Sequence, residues 1–242
     1  MNSEPSRLGN FRTFSITRGL NPETTSTDAN ILRLVGQDKR VLELGCGSGH
    51  MSRVLREQGC AVVGVEIDPR AAESAAAICE RLIIGDLDYL NFHEELGSDR
   101  FDVILAADVL EHLKDPLSIL ETVRQFLNPH GYVVISVPNV AHISIRLALL
   151  AGRFPYGKTG LLDETHLRFL TRESLEKLLA DAELAIGHFE RINVIPADPS
   201  SFEVPYDPAI LPLTLLEEIL QDPDASTYQF VVSGYPLPLG SE

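Results

Sequence analysis

The stretch Val41-Leu-Glu-Leu-Gly45-Cys-Gly47-Ser-Gly49-His50 decides the fold. Its apolar start predicts a buried strand, three alternate glycines follow, and a helix-compatible segment comes after them. Glycine is needed where the main chain turns at positive φ or where a ligand must lie against bare backbone. A helix starting there leaves N–H groups unpaired at its first turn, aimed at whatever occupies the turn. The spacing separates ligands. A dinucleotide turn reads G-x-G-x-x-G, whereas here the third glycine comes two residues after the second, and His50 takes the place of that pattern's last glycine. No P-loop lysine follows. A nicotinamide dinucleotide is therefore the runner-up ligand.

Outward from this turn, apolar β-branched runs alternate with helical periodicity, the pattern of βαβ units on a parallel sheet. Strands are predicted at residues 41–44, 61–65, 82–84, 103–106 and 132–137, with helices at 49–58, 69–78 and 116–127. Asp68-Pro69 and Asp115-Pro116 each set a capping carboxylate before a proline that fits a first helical turn. Gly59 and Gly131 are read as chain reversals after helices. Thr171 is expected to cap a further helix through Leu178 and Leu179. Strands at 184–194 and 228–234 then flank the Pro-rich stretch 195–225, and such a pair can close a sheet edge with one antiparallel member. The expected architecture is α/β, a doubly wound, seven-stranded, mostly parallel Rossmann-like sheet with an antiparallel edge strand. Residues 1–26 are read as an N-terminal flap or loop and 27–242 as one domain.

Composition narrows the function. The chain has 242 residues, 44% of them hydrophobic, with 20 Lys and Arg against 35 Asp and Glu, a formal charge of −15. That length supports one large α/β core. Binding a phosphate backbone needs clustered cations, so nucleic acid is not an expected partner. No run approaches a membrane span and the N-terminus has no apolar signal core, so a cytoplasmic protein without stable membrane insertion is expected. The sequence leaves a homodimer open. Cys46, Cys60 and Cys79 have no zinc-like spacing and are read as small buried residues.

The motif Glu43-Leu-Gly-Cys-Gly-Ser-Gly49 resembles the first motif of class I S-adenosylmethionine-dependent methyltransferases, and three further motifs follow in that family's order. Val62-Val-Gly-Val-Glu66-Ile67-Asp68 resembles the second strand and its ribose-binding acid, a carboxylate being able to accept two hydrogen bonds at once. Ile84-Gly-Asp86-Leu87 resembles the segment that takes the adenine amine, and Phe101-Asp102-Val-Ile-Leu-Ala-Ala-Asp108 the strand beside the transferred methyl. The resemblance covers residues 30–137 and implies S-adenosylmethionine as cofactor, with S-adenosylhomocysteine as product. Carried over residue by residue, it implies cofactor contacts from Glu43, Gly45, Cys46, Gly47, Gly49, Glu66, Ile67, Asp86, Leu87, Ala106 and Asp108. Asp68 and Asp102 are read instead as a helix cap and a strand-start residue.

The methyl acceptor is expected to be a small molecule, a quinol, a sugar or another metabolite, methylated on a hydroxyl. Such an acceptor needs a base. Asp108-Val-Leu-Glu111-His112 resembles the E-x-x-E-H segment of ubiquinone-biosynthesis O-methyltransferases, which implies a divalent metal held by Asp108, Glu111 and His112. Three ligands from one segment are a thin set, and no metal is expected; His112 is then the candidate base. Two inserts, near 138–170 and 195–226, are placed on the acceptor side. The first supplies His142 and His166 as further candidate catalytic imidazoles and Arg168 and Tyr156 as candidate acceptor contacts. Its Leu161-Leu-Asp163-Glu164-Thr165-His166-Leu-Arg168-Phe-Leu-Thr171 run resembles a signature of methyltransferases near the ubiquinone and methionine-biosynthesis types. Ion pairs among Asp163, Glu164, His166 and Arg168 are the competing reading, and residues 143–150 are expected to pack as core or lid. A non-catalytic S-adenosylmethionine-binding module is the alternative function, and an NAD-dependent oxidoreductase a more distant one.

Overall fold

The computed structural model describes residues 26–194 and 213–238. In chain order the elements are α1 (Thr27–Val35), β1 (Arg40–Leu44), α2 (His50–Glu57), β2 (Ala61–Glu66), α3 (Pro69–Ala75), β3 (Arg81–Ile84), α4 (Phe92–Leu96) and β4 (Phe101–Ala107), then α5 (Pro116–Val123), β5 (Leu127–Pro138), α6 (Ile143–Leu150), α7 (Arg172–Asp181), β6 (Leu184–Asn193), α8 (Leu213–Ile219) and β7 (Thr227–Pro236). The seven strands form one sheet in the order β3-β2-β1-β4-β5-β7-β6. β1 to β5 run parallel, while β7 is antiparallel to both β5 and β6. The β7–β6 pair thus closes that side with the expected antiparallel member, β7.

The period of two along each strand splits the core between the two faces of the sheet. Val41, Val62, Val103, Leu105, Val134 and Val231 pack on one face with Ile31 and Leu32 of α1 and Met51 and Leu55 of α2. Leu42, Leu44, Val63, Ile104, Ile135 and Val232 turn the other way, onto Phe92, Leu120 and Leu175. Each such side chain fully buried contributes about 1.5–3 kcal/mol against the entropy of ordering the chain. Helix starts are chemically marked. Asp68 accepts from Arg70 N–H at 2.9 Å and Asp115 from Ser118 N–H at 3.1 Å, while Thr171 and Ser174 form a reciprocal capping box. A cap of this kind contributes about 1 kcal/mol. Asp102 joins neighbouring strands, accepting from Arg40 N–H at 2.9 Å and from the Asn128 amide at 2.8 Å.

Several boundaries differ from expectation. α3 stops at Ala75, because the chain must reach Glu80, whose N–H already pairs with Val62 O on the sheet. α5 tightens into a 3₁₀ turn at Arg124–Phe126. Gly131 is not a chain reversal. It lies inside β5, where an added Cβ would stand 2.8 Å from Phe101 O. Within the stretch read as merely Pro-rich, residues 213–219 are α8; the flap at 1–25 and residues 195–212 lie outside the described residues. No helix among the described residues is long and apolar enough to cross a membrane.

Candidate functional site

The strands β1 to β4 end on one edge of the sheet, and their C-terminal loops enclose a cavity of about 570 Å³. In open α/β sheets a ligand sits at this edge, where the strand order reverses. Here the reversal lies between β1 and β4.

The glycine turn forms one wall. Gly45, Gly47 and Gly49 all have positive φ, at 67°, 55° and 81°. Their reasons differ. At Gly47 an added Cβ meets nothing within 4 Å, so its main chain lies bare toward the cavity. At Gly49 a Cβ would stand 2.9 Å from Ile78 Cδ1 and 3.1 Å from Ala75 Cα, so this glycine serves the packing of α2 on α3. Gly49 does not line the cavity. It also leaves α2 without a side-chain cap.

Glu66, at the end of β2, is 8% exposed and accepts from Gly47 N–H at 2.7 Å and from Asp68 N–H at 2.8 Å. Its carboxylate thereby ties the glycine turn to the second strand. Ile67, Asp86 and Leu87 follow on the same wall. Asp86 accepts from Asp88 N–H at 3.0 Å, and Asp88 in turn accepts from Lys114 N–H at 2.9 Å, which joins the loop after β3 to the one after β4. Beneath the turn, Glu43 is 3% exposed and accepts the Ser52 hydroxyl at 2.5 Å. Burial pushes its carboxyl up to about 8, so it is held largely as the acid.

Ala106 is buried in the core, and Ala107, the last residue of β4, lines the cavity. Asp108 follows at φ 53°. Its carboxylate accepts the Ser136 hydroxyl at 2.8 Å and a hydrogen bond from the Gln229 amide. A 3₁₀ turn at Leu110–His112 then brings His112 to the cavity wall. His112 Nδ1 lies 3.3 Å from Thr165 O and 3.2 Å from Thr165 Oγ1, and Thr165 Oγ1 donates to Asp163 at 2.6 Å. A carbonyl only accepts, and that hydroxyl has already given its proton away. The N–H of His112 therefore belongs on Nδ1, leaving the lone pair on Nε2. Burial holds this imidazole below the usual histidine range.

The first insert contributes differently from expectation. His166 packs edge-on against His112 with ring centroids 4.8 Å apart, and burial, then His112, lowers its pKa. His142 is remote from the cavity: 2% exposed, it pairs through Nε2 with Val194 O and through Nδ1 with Ser144 Oγ, both at 2.8 Å. With both nitrogens engaged in seating α6, it is not placed to act as a base. Arg168 donates to Lys114 O outside the cavity, and Tyr156 is 61% exposed against Phe154. Neither lines the cavity, whereas Lys158, Glu164 and Thr165 do. Glu164 pairs with Lys158 rather than with His166 or Arg168.

Sequence reasoning missed Asp28, which lines the cavity from the first turn of α1, and the Asp163–Thr165–His112 chain. Ser26, which caps α1, was the available signal for the first. The second joins segments that no local pattern connects.

Among the described residues, Glu111, His112 and His166 offer ligand atoms all within 4.8 Å of one another. Glu111 is 1% exposed with Oε2 unpaired, and burial, then Asp108, pushes its carboxyl well above the usual range. The group differs from the Asp108, Glu111 and His112 set that the resemblance implied, because Ser136 and Gln229 already occupy the Asp108 carboxylate.

Comparison with known proteins agrees with this geometry. A family model described as a methyltransferase domain matches residues 24–188. A ubiquinone biosynthesis O-methyltransferase from Cereibacter sphaeroides (strain ATCC 17025 / ATH 2.4.3) is 33% identical over 153 residues, 61% of this chain and 61% of that protein. The chain thus spans less than two thirds of that relative's length. Among solved structures, an S-adenosylmethionine-dependent methyltransferase from Mesorhizobium loti superposes with a TM-score of 0.56 at 24% identity, covering 86% of this chain and 94% of that one. Magnesium protoporphyrin IX methyltransferase from Synechocystis PCC 6803, solved with bound SAH, superposes at 0.56 with 14% identity, over 87% of this chain and 81% of that one. The chain belongs to the methyltransferase-domain family and has the class I, S-adenosylmethionine-dependent fold.

Proposed function

We propose that the chain transfers a methyl group from S-adenosylmethionine to a hydroxyl of a small-molecule acceptor, such as a quinol or a sugar, with His112 as the base. The observation that carries this reading is the position of His112 on the wall of the cavity that the glycine turn and Glu66 also line. The cofactor, when bound, supplies a methyl group on a positively charged sulfur that an acceptor oxygen can displace in line.

The chain's own work is alignment, from which effective molarities of about 10⁵ M or more can arise. Bare main chain at Gly47, with Gly45 beside it, receives the amino-acid tail, the Glu66 carboxylate fastens the sugar, and Asp86 with Ile67 and Leu87 takes the base. His112 Nε2 accepts the proton of the acceptor hydroxyl, while Thr165 and Asp163 hold the ring in the tautomer that makes this possible. General-base assistance of this kind contributes about 10²–10⁴-fold in rate.

A divalent ion is a second reading, favoured by the unpaired, buried oxygen of Glu111. One carboxylate and two imidazoles from Glu111, His112 and His166 suit zinc or another first-row transition ion better than magnesium. Such an ion would supply polarisation of the acceptor oxygen.

A methyl-transfer screen over quinols, sugars, lipid-linked sugars and phenolic acids, read as S-adenosylhomocysteine release with and without chelator, tests both readings. Turnover of a hydroxylated acceptor, lost in His112→Gln with S-adenosylhomocysteine affinity retained, supports the first. Affinity without turnover of any acceptor would mark a binding module instead. Loss of turnover on chelation, restored by zinc, would favour the second reading.

A further inference from the structure

Two thiols meet beneath the glycine turn. Cys46 stands between Gly45 and Gly47, is 5% exposed, and lies on the cavity wall. Cys79 follows α3 and is half-buried. Both sulfurs converge on the space left by the missing side chain of Gly64: a Cβ there would stand 2.7 Å from Cys46 Sγ and 3.1 Å from Cys79 Sγ. Cys79 Sγ also lies 3.5 Å from Ser52 Oγ. The neighbouring Cys46 thiol, then Ser52 and the Arg56 guanidinium, hold the Cys79 thiol below its ordinary value, while Cys79 and burial push Cys46 up. Thiolate character and partial access are what make a cysteine reactive toward oxidants. Cys60 has neither neighbour, since it is buried with its Sγ 3.6 Å from Gly36 O.

We propose that Cys46 and Cys79 form a peroxide-sensitive dithiol whose closure to a disulfide disables the cavity above it. The Cys79 thiolate attacks one oxygen of a hydroperoxide, the S–O bond forming as the O–O bond breaks, and the departing oxygen takes up a proton. The Cys46 sulfur then attacks the sulfenic sulfur as its proton passes to the departing hydroxyl, forming the S–S bond and releasing water. Two thiols are oxidised and hydrogen peroxide is reduced to two waters. An S–S bond of about 2.05 Å requires the sulfurs to close on each other, which draws the main chain of Gly45 and Gly47 toward β2. Ligand and disulfide therefore oppose each other: by linkage a bound ligand disfavours closure, and by covering Cys46 on the cavity wall it also slows it.

The test is oxidation of the reduced full chain with hydrogen peroxide, with and without saturating S-adenosylhomocysteine, followed by alkylation and peptide mapping and by calorimetric titration of the oxidised product. The expected result is a Cys46–Cys79 linkage, slower to form with ligand present. The oxidised chain should bind S-adenosylhomocysteine about tenfold more weakly or worse, and dithiothreitol should restore it. C60S should keep this behaviour. C79S and C79A, checked for cooperative thermal unfolding, should lose it. Absence of the linkage in the mapped peptides, or a linkage that leaves affinity unchanged, overturns the proposal. The mapping arm does not depend on the cofactor reading of the cavity: a reduced chain that failed to bind the ligand at all would count against that reading alone, while the linkage would still decide the thiol chemistry.

Discussion

The Glu66 carboxylate accepts the Gly47 N–H at 2.7 Å, so the acid expected to hold the cofactor's sugar also holds the turn expected to cradle its tail. One side chain therefore both fixes the glycine turn and presents a carboxylate to the cavity. Glu66→Ala should weaken S-adenosylhomocysteine binding about a hundredfold in calorimetric titration, since hydrogen bonds to a charged group contribute about 1.5–3 kcal/mol each. A change below threefold would mean that the carboxylate serves the fold alone.

Gly47 and Gly49 should separate binding from stability. Gly47→Ala places its methyl in open space at positive φ, with a stability loss of about 1 kcal/mol and a clear loss of cofactor affinity. Gly49→Ala drives a methyl into Ala75 and Ile78 and adds about 1–3 kcal/mol of overpacking to the same backbone strain. Urea unfolding and ligand titration on both variants should rank them in opposite order.

Glu43 gives stability a pH dependence. Its folded pKa lies near 8 against a reference of 4.5, so the folded state binds more protons than the unfolded state between those values. Stability then falls as pH rises through that window. Glu43→Gln should make the slope of unfolding free energy against pH shallower over the same range. An unchanged slope would show that Glu43 stays ionised in the fold.

The two histidines read alike in the sequence should behave oppositely. His142→Gln removes the partner of Val194 O and Ser144 and should lower thermal stability by about 1–3 kcal/mol with kcat nearly unchanged. His112→Gln should leave stability near that of the parent and reduce kcat about 10²–10⁴-fold. Thermal unfolding and turnover measured together on both variants check this contrast.

The strands, the glycine turn and the acids at the ends of β2 and β3 were legible because local rules place them: periodicity sets the strand, and its C-terminal end sets the ligand edge. β4 runs one residue past its expected end, to Ala107, since the sequence does not mark where the strand leaves the sheet. His142, Arg168 and Tyr156 lie in an insert without periodicity, where the fold alone decides which polar groups face the cavity. The meeting of His112 with Thr165 spans 53 positions and depends on how that insert folds back over β4. The antiparallel closure of that edge was legible; which of β6 and β7 lies outermost was not, because antiparallel pairing leaves the same alternating pattern in either place.

Side-by-side calorimetric titration of the purified chain with S-adenosylhomocysteine and with NADH tests the central claim most directly. Saturable one-site binding of S-adenosylhomocysteine, abolished or sharply weakened in Glu66→Ala, with no heat from NADH, is the predicted result. Binding of NADH with none of S-adenosylhomocysteine would contradict the account.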